Sequence, residues 1–364
     1  MQDLSKRYWR IKYVLIILDS VYLIFLLFLF LNSGISYKFS VFALKLVKNK
    51  PTAIAIYFLI IYILYAILNF PLNFYRSFVL EHKFSLSRQS FISWLKDNLK
   101  SGLIFYVFSL ILIEFLYFSF DYSPYHWWIL VSFFWIFLSI ILAKILPTFI
   151  IPLFFKYKKI NDENLKRHIL ELASKMKVKI LDIFEIDLSK KTTKANACFL
   201  GLGKTKRIIL SDTLKDRYTP EEIEVILAHE LAHFRFFHLW KFLFLEAIFI
   251  VLNFYIIFKT QDYFFKFYGL NLKDIAGLPV IFIYLILYEI ITLPFKNLIK
   301  RICERNADIF ALKITGLKEA FISLMEKIAQ QNLADRFPHP IIKLFFFDHP
   351  PIGERINLAK NFRL

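Results

Sequence analysis

The sequence predicts a mainly α membrane protein of about six spans with a small polar α+β domain set into it, and three observations carry that reading. The chain is 58% hydrophobic and 19% aromatic, with 44 phenylalanines in 364 residues, well outside the composition of soluble domains. Apolar runs long enough to cross roughly 30 Å of hydrocarbon fall near 13–31, 53–70, 102–120, 128–150, 239–258 and 276–295. Between the fourth and fifth runs the chain turns polar and takes on a pattern of short strands and amphipathic helix.

By composition it divides into a four-span membrane part at 1–150, an insert at 151–238, two further spans at 239–298 and a polar C-terminal part at 299–364. No repeat or low-complexity linker separates them. The first span follows Lys6, Arg7, Arg10 and Lys12. It is long for a signal peptide and lacks a small-residue cleavage site, so it reads as a retained anchor. The net charge of +18 would suit nucleic acid, but the lysines and arginines flank the spans instead of forming a stripe on one soluble module. Nucleic acid is therefore excluded as a partner, and the charges read as topology signals in a lipid bilayer. With the N-terminus inside, the 71–100 loop, the insert and the tail after Lys296 face the cytoplasm, across the inner membrane if the chain is prokaryotic. Residues 32–50 oppose this orientation, because Lys38, Lys45, Lys48 and Lys50 then lie outside. Cys198 and Cys303 fall on the reducing side, where no disulfide is expected.

Within the insert, 162–177 reads as an amphipathic helix and 182–188, 195–200 and 206–211 as strands of a small sheet. Thr219-Pro220-Glu221-Glu222 then opens a helix with an N-cap, a first-turn proline and a glutamate three residues past the cap. That helix is expected to run without a break into the 239–258 span, near the membrane surface. It carries His229-Glu230-Leu231-Ala232-His233. Four-residue spacing puts both imidazoles on one helix face, where they can hold one zinc ion while Glu230 reaches the attacking water. The plainer alternative is a helix with two satisfied histidines.

A catalytic zinc site needs a third protein ligand. Glu304, in Glu304-Arg305-Asn306-Ala307-Asp308 just after the last span, is the candidate. Asp308, one turn on, would accept a hydrogen bond from a ligating histidine and fix its tautomer; otherwise the two acids are an ordinary solvated i,i+4 pair. Zinc would acidify its water, Glu230 would take the proton, and the resulting hydroxide would attack a peptide carbonyl. His349 and Arg355, in the tail at 348–355, would steady the oxyanion unless that segment is only a proline-rich turn. Asp19, Glu114, Lys144, Glu246 and Glu289 fall inside the spans and are candidates to line an interior cavity, with a buried pair or a snorkelling chain as the alternative. His238 reads as a polar group at the membrane interface, and His339 is unassigned.

These segments resemble the type 1 CAAX prenyl proteases, multi-spanning zinc metallopeptidases, and their prokaryotic relatives. The likeness covers about 53–360. Tyr75 to Phe84 is similar to the family's loop after its third span and Pro147 to Lys159 to its Pro-Leu-Phe stretch; Lys194 to Phe199 and Arg207 to Leu214 are similar to its edge strand and the strand that follows. The resemblance implies a gluzincin-type zinc domain inside a ring of helices around a water-filled chamber, and the same roles for Glu304, Asp308, His349 and Arg355. It also implies that a substrate lies as an added strand along Asn196, Ala197, Cys198 and Phe199. Seven spans are usual in the family, whereas residues 32–52 leave no room for the second, and Cys198 stands where the family has tyrosine. The function expected is a zinc metalloendopeptidase acting at the cytoplasmic face on peptides or membrane-associated proteins, prenylated or not. A heat-shock type of membrane quality-control protease is the alternative enzyme. A non-catalytic membrane chamber or transporter-like scaffold is the alternative of another class, and it predicts damage to the catalytic set that the sequence does not carry.

Overall fold

A computed structural model describes residues 2–160, 163–176, 182–200, 207–215 and 217–363. Among them six helical stretches are long and apolar enough to cross a membrane. They are α1 (Gln2–Asn32), α3 (Lys50–Phe74, prolonged by a π turn at Tyr75–Val79 and by α4, Leu80–Lys83), α5 (Phe91–Tyr122), α6 (Trp127–Ile145), α10 (His238–Phe267) and α11 (Leu278–Thr315). The 32–50 segment holds α2 (Ile35–Leu46), whose 12 residues rise only about 18 Å and cannot cross a bilayer. Gly34, at φ 70, turns the chain into it. Ser36 of α2 donates to Ala276 O at 2.6 Å and bonds the Tyr57 hydroxyl at 2.7 Å.

The two ends of the bundle are distinct. Lys50 and Lys273 meet Asp121 at one end, at 2.5 and 3.3 Å. At the other, Ser5 and Trp9 of α1 donate to the carbonyls of Ala334 and Leu333, at 3.0 and 2.6 Å. The N-terminus, the 85–90 loop, the insert and the tail thus share one side, and the 32–50 segment lies on the other.

The charges inside the spans are mostly paired. Arg76 donates to Asp19 at 2.6 Å, and Lys296 to Glu246 and Glu289 at 2.9 and 2.7 Å; Lys144 is exposed near the end of α6 and Glu114 is half-buried. A cavity of about 440 Å³ between α1, α3, α5 and α11 is walled by Leu23, Phe58, Tyr62 and other apolar groups, and none of the five charged residues lines it.

The insert contains α7 (Glu163–Lys175) and a sheet of order β1-β2-β4-β3. The strands are β1 (Tyr157–Lys159), β2 (Asp182–Ile186), β3 (Ala197–Leu200) and β4 (Arg207–Ser211). β2 and β4 run parallel, the outer pairs antiparallel. β1 was not expected: three residues after a proline-rich turn show no strand period, and pairing with β2 alone makes them one. The ends of the expected 162–177 helix and position 206 lie outside the described residues.

After α8 (Asp212–Lys215) comes α9 (Pro220–Arg235), capped as the sequence implies, with Thr219 and Glu222 bonding reciprocally. α9 is sandwiched between the sheet and α11, and α12 (Lys318–Gln331) and α14 (Ile352–Lys360) close the same core. α13 (Pro340–Phe346) precedes the tail turn and is N-capped by His339.

One expectation about continuity is corrected. α9 and α10 are separate helices, because Phe237 sits at φ 56 between them. An L-residue in that region costs roughly 1–2 kcal/mol; the break folds the start of α10 back against the end of α9. Conversely, the sixth span and the segment carrying Glu304 are one helix of 38 residues, interrupted only by the missing N–H of Pro294.

Glu222 also ties α9 to α12, since Ser323 and Lys327 donate to its buried carboxylate at 2.6 and 2.7 Å. Burial opposes the charge, but these bonds and the Thr219 amide outweigh it, so its pKa is lowered from 4.5. Its contribution to stability is therefore present above that ordinary value and lost as pH falls through the lowered one. Glu222→Gln is expected to cost about 1–3 kcal/mol near pH 7 in thermal unfolding in detergent, and the gap to wild type should close as the pH is lowered below 4.5.

Candidate active site

The site is built where α9 crosses α11. Ala228 and Ala232 on α9, and Ala307 and Ala311 on α11, are each fully buried. Small residues at i and i+4 on both helices let the two backbones approach closely. His229 and His233 each follow one of the α9 alanines, and Asp308 follows Ala307, so the polar side chains fan out beside the seam.

There the Nε2 atoms of His229 and His233 lie 3.1 Å apart, and each lies 3.2 Å from a different oxygen of Glu304. Tetrahedral zinc with nitrogen and oxygen ligands at about 2.0–2.1 Å spaces its ligand atoms by about 3.3 Å, close to the separation of the two imidazole nitrogens and to that of each from its nearer carboxylate oxygen. Glu304 Oε2 is buried, accepts no hydrogen bond and lies 3.2 Å from His229 Nε2, which leaves a carboxylate lone pair free for a cation. Among the described residues this is the group of three ligand-type side chains able to hold a metal.

Around the triad the other expected residues assemble. Asp308, fully buried, lies 2.8 Å from His229 Nδ1. Burial would strip the His229 proton, but Asp308 and then Glu304 raise its pKa; a cation at Nε2 would expel that extra proton. His233 is driven the other way, down to about 3, by burial and by the charge of His229. Arg355 is engaged more tightly than expected: its Nε and one terminal nitrogen clamp both oxygens of Asp308 at 2.8 and 2.5 Å. It still borders the cleft, with Glu230 and His349. His349 Nε2 stands 3.4 Å from Glu304 Oε2, with Nδ1 2.8 Å from Asp348. Burial lowers its pKa, but Asp348 more than restores it and the net shift is upward.

The cleft, about 280 Å³, runs from Glu230 and His229 to Asn196 and Ala197. Those residues lead into β3, an edge of the described sheet whose other side pairs with β4. Cys198 and Phe199 lie further along the strand, and the Cys198 thiol is pushed up to about 12 by burial and by Glu230, which keeps it unreactive. Both cysteines are free.

Several positioning residues were not found in the sequence. Asn332 accepts from the Ala195 amide at 3.3 Å, Gln331 donates to Thr193 O at 2.6 Å, and Lys194 pairs with Glu81 at 2.8 Å. The α3–α4 segment therefore anchors the entry to β3. Arg301 donates to Phe347 O at 2.6 Å and Asn297 to Phe345 O at 2.7 Å, which fixes the turn that presents His349. His238 is 1% exposed, so it is not an interfacial side chain; its Nδ1 lies 2.9 Å from that of His233. Glu81 and Lys194 lie in segments that the sequence already sets apart, but their pairing, like the contacts of Asn332, Gln331, Arg301 and Asn297, joins residues distant in sequence.

The sequence family described as peptidase family M48 matches residues 159–363, which include every residue of this site. The chain belongs to peptidase family M48. Residues 3–156 match a second family, described as CAAX prenyl protease N-terminal, five membrane helices; in this M48 chain that stretch holds four long apolar helices and the short α2. The uncharacterized metalloprotease YhfN of Bacillus subtilis is 27% identical over 92% of this chain and 80% of that protein. CAAX prenyl protease 1 of Saccharomyces cerevisiae is 28% identical over 80% of this chain and 68% of its own. The crystal structure of S. mikatae Ste24p matches with a TM-score of 0.86 at 25% identity, over 98% of this chain and 88% of that one. The M48 chain is thus a multi-pass membrane zinc metalloendopeptidase of the CAAX prenyl protease type.

Because Arg355 holds Asp308, Arg355→Ala is expected to weaken zinc binding by about 10-fold or more as well as to slow turnover. Metal content after dialysis against a chelator checks this; unaltered zinc retention would confine Arg355 to the cleft.

Proposed function

We propose that one zinc ion is held by His229, His233 and Glu304, and that Glu230 is the general base for hydrolysis of a peptide laid along β3. The observation that carries this reading is the pair of imidazole Nε2 atoms 3.1 Å apart, each 3.2 Å from one oxygen of the Glu304 carboxylate, beside a cleft lined by His229, Glu230 and the start of the edge strand. When bound, zinc supplies Lewis acidity, polarising a carbonyl and lowering the pKa of water at the site.

The chain's own groups do the rest. An extended substrate pairs with Asn196, Ala197, Cys198 and Phe199 as a further strand, which sets the scissile carbonyl beside the triad. Glu230 takes the proton of the attacking water. His349, held by Asp348, and Arg355 face the developing oxyanion. Asp308 orients His229, and Arg355 orients Asp308.

The substrates proposed are peptides or membrane-associated proteins, with a prenylated C-terminal CAAX segment as the first candidate, a reading supported by the likeness to CAAX prenyl protease 1. Turnover of unprenylated membrane proteins is the other candidate, supported by the likeness to the metalloprotease YhfN over 92% of this chain. The catalytic side is proposed to face the cytoplasm, across the inner membrane in a prokaryotic cell. It shares its side with Lys6, Arg7, Arg10 and Lys12 before the first span, and basic flanks stay inside.

Purified protein in detergent is expected to cleave a farnesylated CAAX peptide, to stop on treatment with a chelator and to recover with zinc. Glu230→Gln should keep one zinc per chain and lose about 10²–10⁴-fold in kcat. Glu304→Ala should lose both, and full metal content in that variant would remove Glu304 from the ligand set. Cleavage of unprenylated peptides alone would move the substrate to membrane-protein turnover.

A further inference from the structure

The site gives His229 an orienting partner in Asp308, and His233 has one of a different kind. His238, on the first turn of α10, is 1% exposed and places Nδ1 2.9 Å from Nδ1 of His233. His233 meanwhile turns Nε2 toward Glu304 and His229. An imidazole that gives the Nε2 lone pair to a cation carries its proton on Nδ1, and here that N–H points at His238. Two ring nitrogens facing one another form a hydrogen bond only if one of them is bare. His238 must then accept at Nδ1 and keep its own proton on Nε2.

We infer that His238 is the positioning residue for His233, a neutral imidazole acceptor that fixes the tautomer and ring angle of the second zinc histidine. The inference rests on the zinc assignment proposed above. It also accounts for the break between α9 and α10. In an uninterrupted helix residues five apart point about 140° away from each other, so His233 and His238 could not meet. The left-handed Phe237 folds the start of α10 back against α9 and makes the contact. A neutral acceptor suits this place, because Glu304 and Asp308 already set two buried carboxylates beside the triad.

The test uses the full chain in detergent and reads metal binding rather than turnover. Zinc dissociation constants are measured by chelator competition for wild type, His238→Leu, His238→Asn and Glu304→Ala. Leucine removes the acceptor and keeps the bulk, whereas the Asn carbonyl oxygen stands near the position of His Nδ1. His238→Leu is expected to bind zinc about 10–100-fold more weakly and His238→Asn to recover to within a few-fold of wild type. With cobalt in the site, the visible spectrum should change in the Leu variant and return in the Asn variant. Wild-type affinity in His238→Leu, beside loss of zinc in Glu304→Ala, overturns the inference and leaves the zinc assignment standing. Zinc retained by Glu304→Ala overturns the assignment itself, and the inference with it. If His238→Leu does not fold, ¹⁵N-histidine NMR of the zinc-loaded wild type decides: a bare Nδ1 on His238 is expected, and a protonated one overturns the inference.

Discussion

The crossing of α9 over α11 is the constraint on which the rest of the molecule depends. Four buried alanines, two on each helix, lie in the core that α9 and α11 share, and the crossing sets the spacing of two imidazoles and a carboxylate. Neither helix holds the site alone. α9 is fixed by the sheet behind it and by Glu222 at its start; α11 is fixed by the bundle from which it emerges. A side chain one methyl larger at the seam would push apart ligand atoms now 3.2 Å from one another, because packed interiors do not absorb added volume locally.

Reading the chain for local periodicity recovered what local periodicity encodes. The capped helix, the histidine pair one turn apart and the acidic pair one turn apart all follow from the 3.6-residue repeat, and each is visible within five residues of sequence. The spans were visible because bilayer thickness imposes a length. The sheet was read three strands out of four, since β1 exists only through its pairing with β2.

What escaped depended on pairs distant in sequence or on a backbone state that composition does not announce. Phe237 is a bulky aromatic, the last residue type to suggest a left-handed turn, so α9 and α10 read as one helix and His238 was placed at the membrane surface. Arg355 reads as an oxyanion group from its chemistry and from the family likeness, while its clamp on Asp308, 47 residues away, leaves no mark in the local sequence. The intramembrane charges show the same limit. A lone Asp19 asks for a partner, but nothing local says that Arg76, 57 residues on, supplies it.

The continuity of α11 has a mechanical side. One rod runs from the hydrocarbon region to Glu304, and its only internal weakness is Pro294, ten residues before that carboxylate. Ten helical residues form a lever of about 15 Å, so a tilt of about 5° at Pro294 carries Glu304 through about 1.3 Å. A bilayer that thickens or thins and so re-tilts this helix acts directly on the distance of Glu304 from His229 and His233, with no loop between to take up the slack.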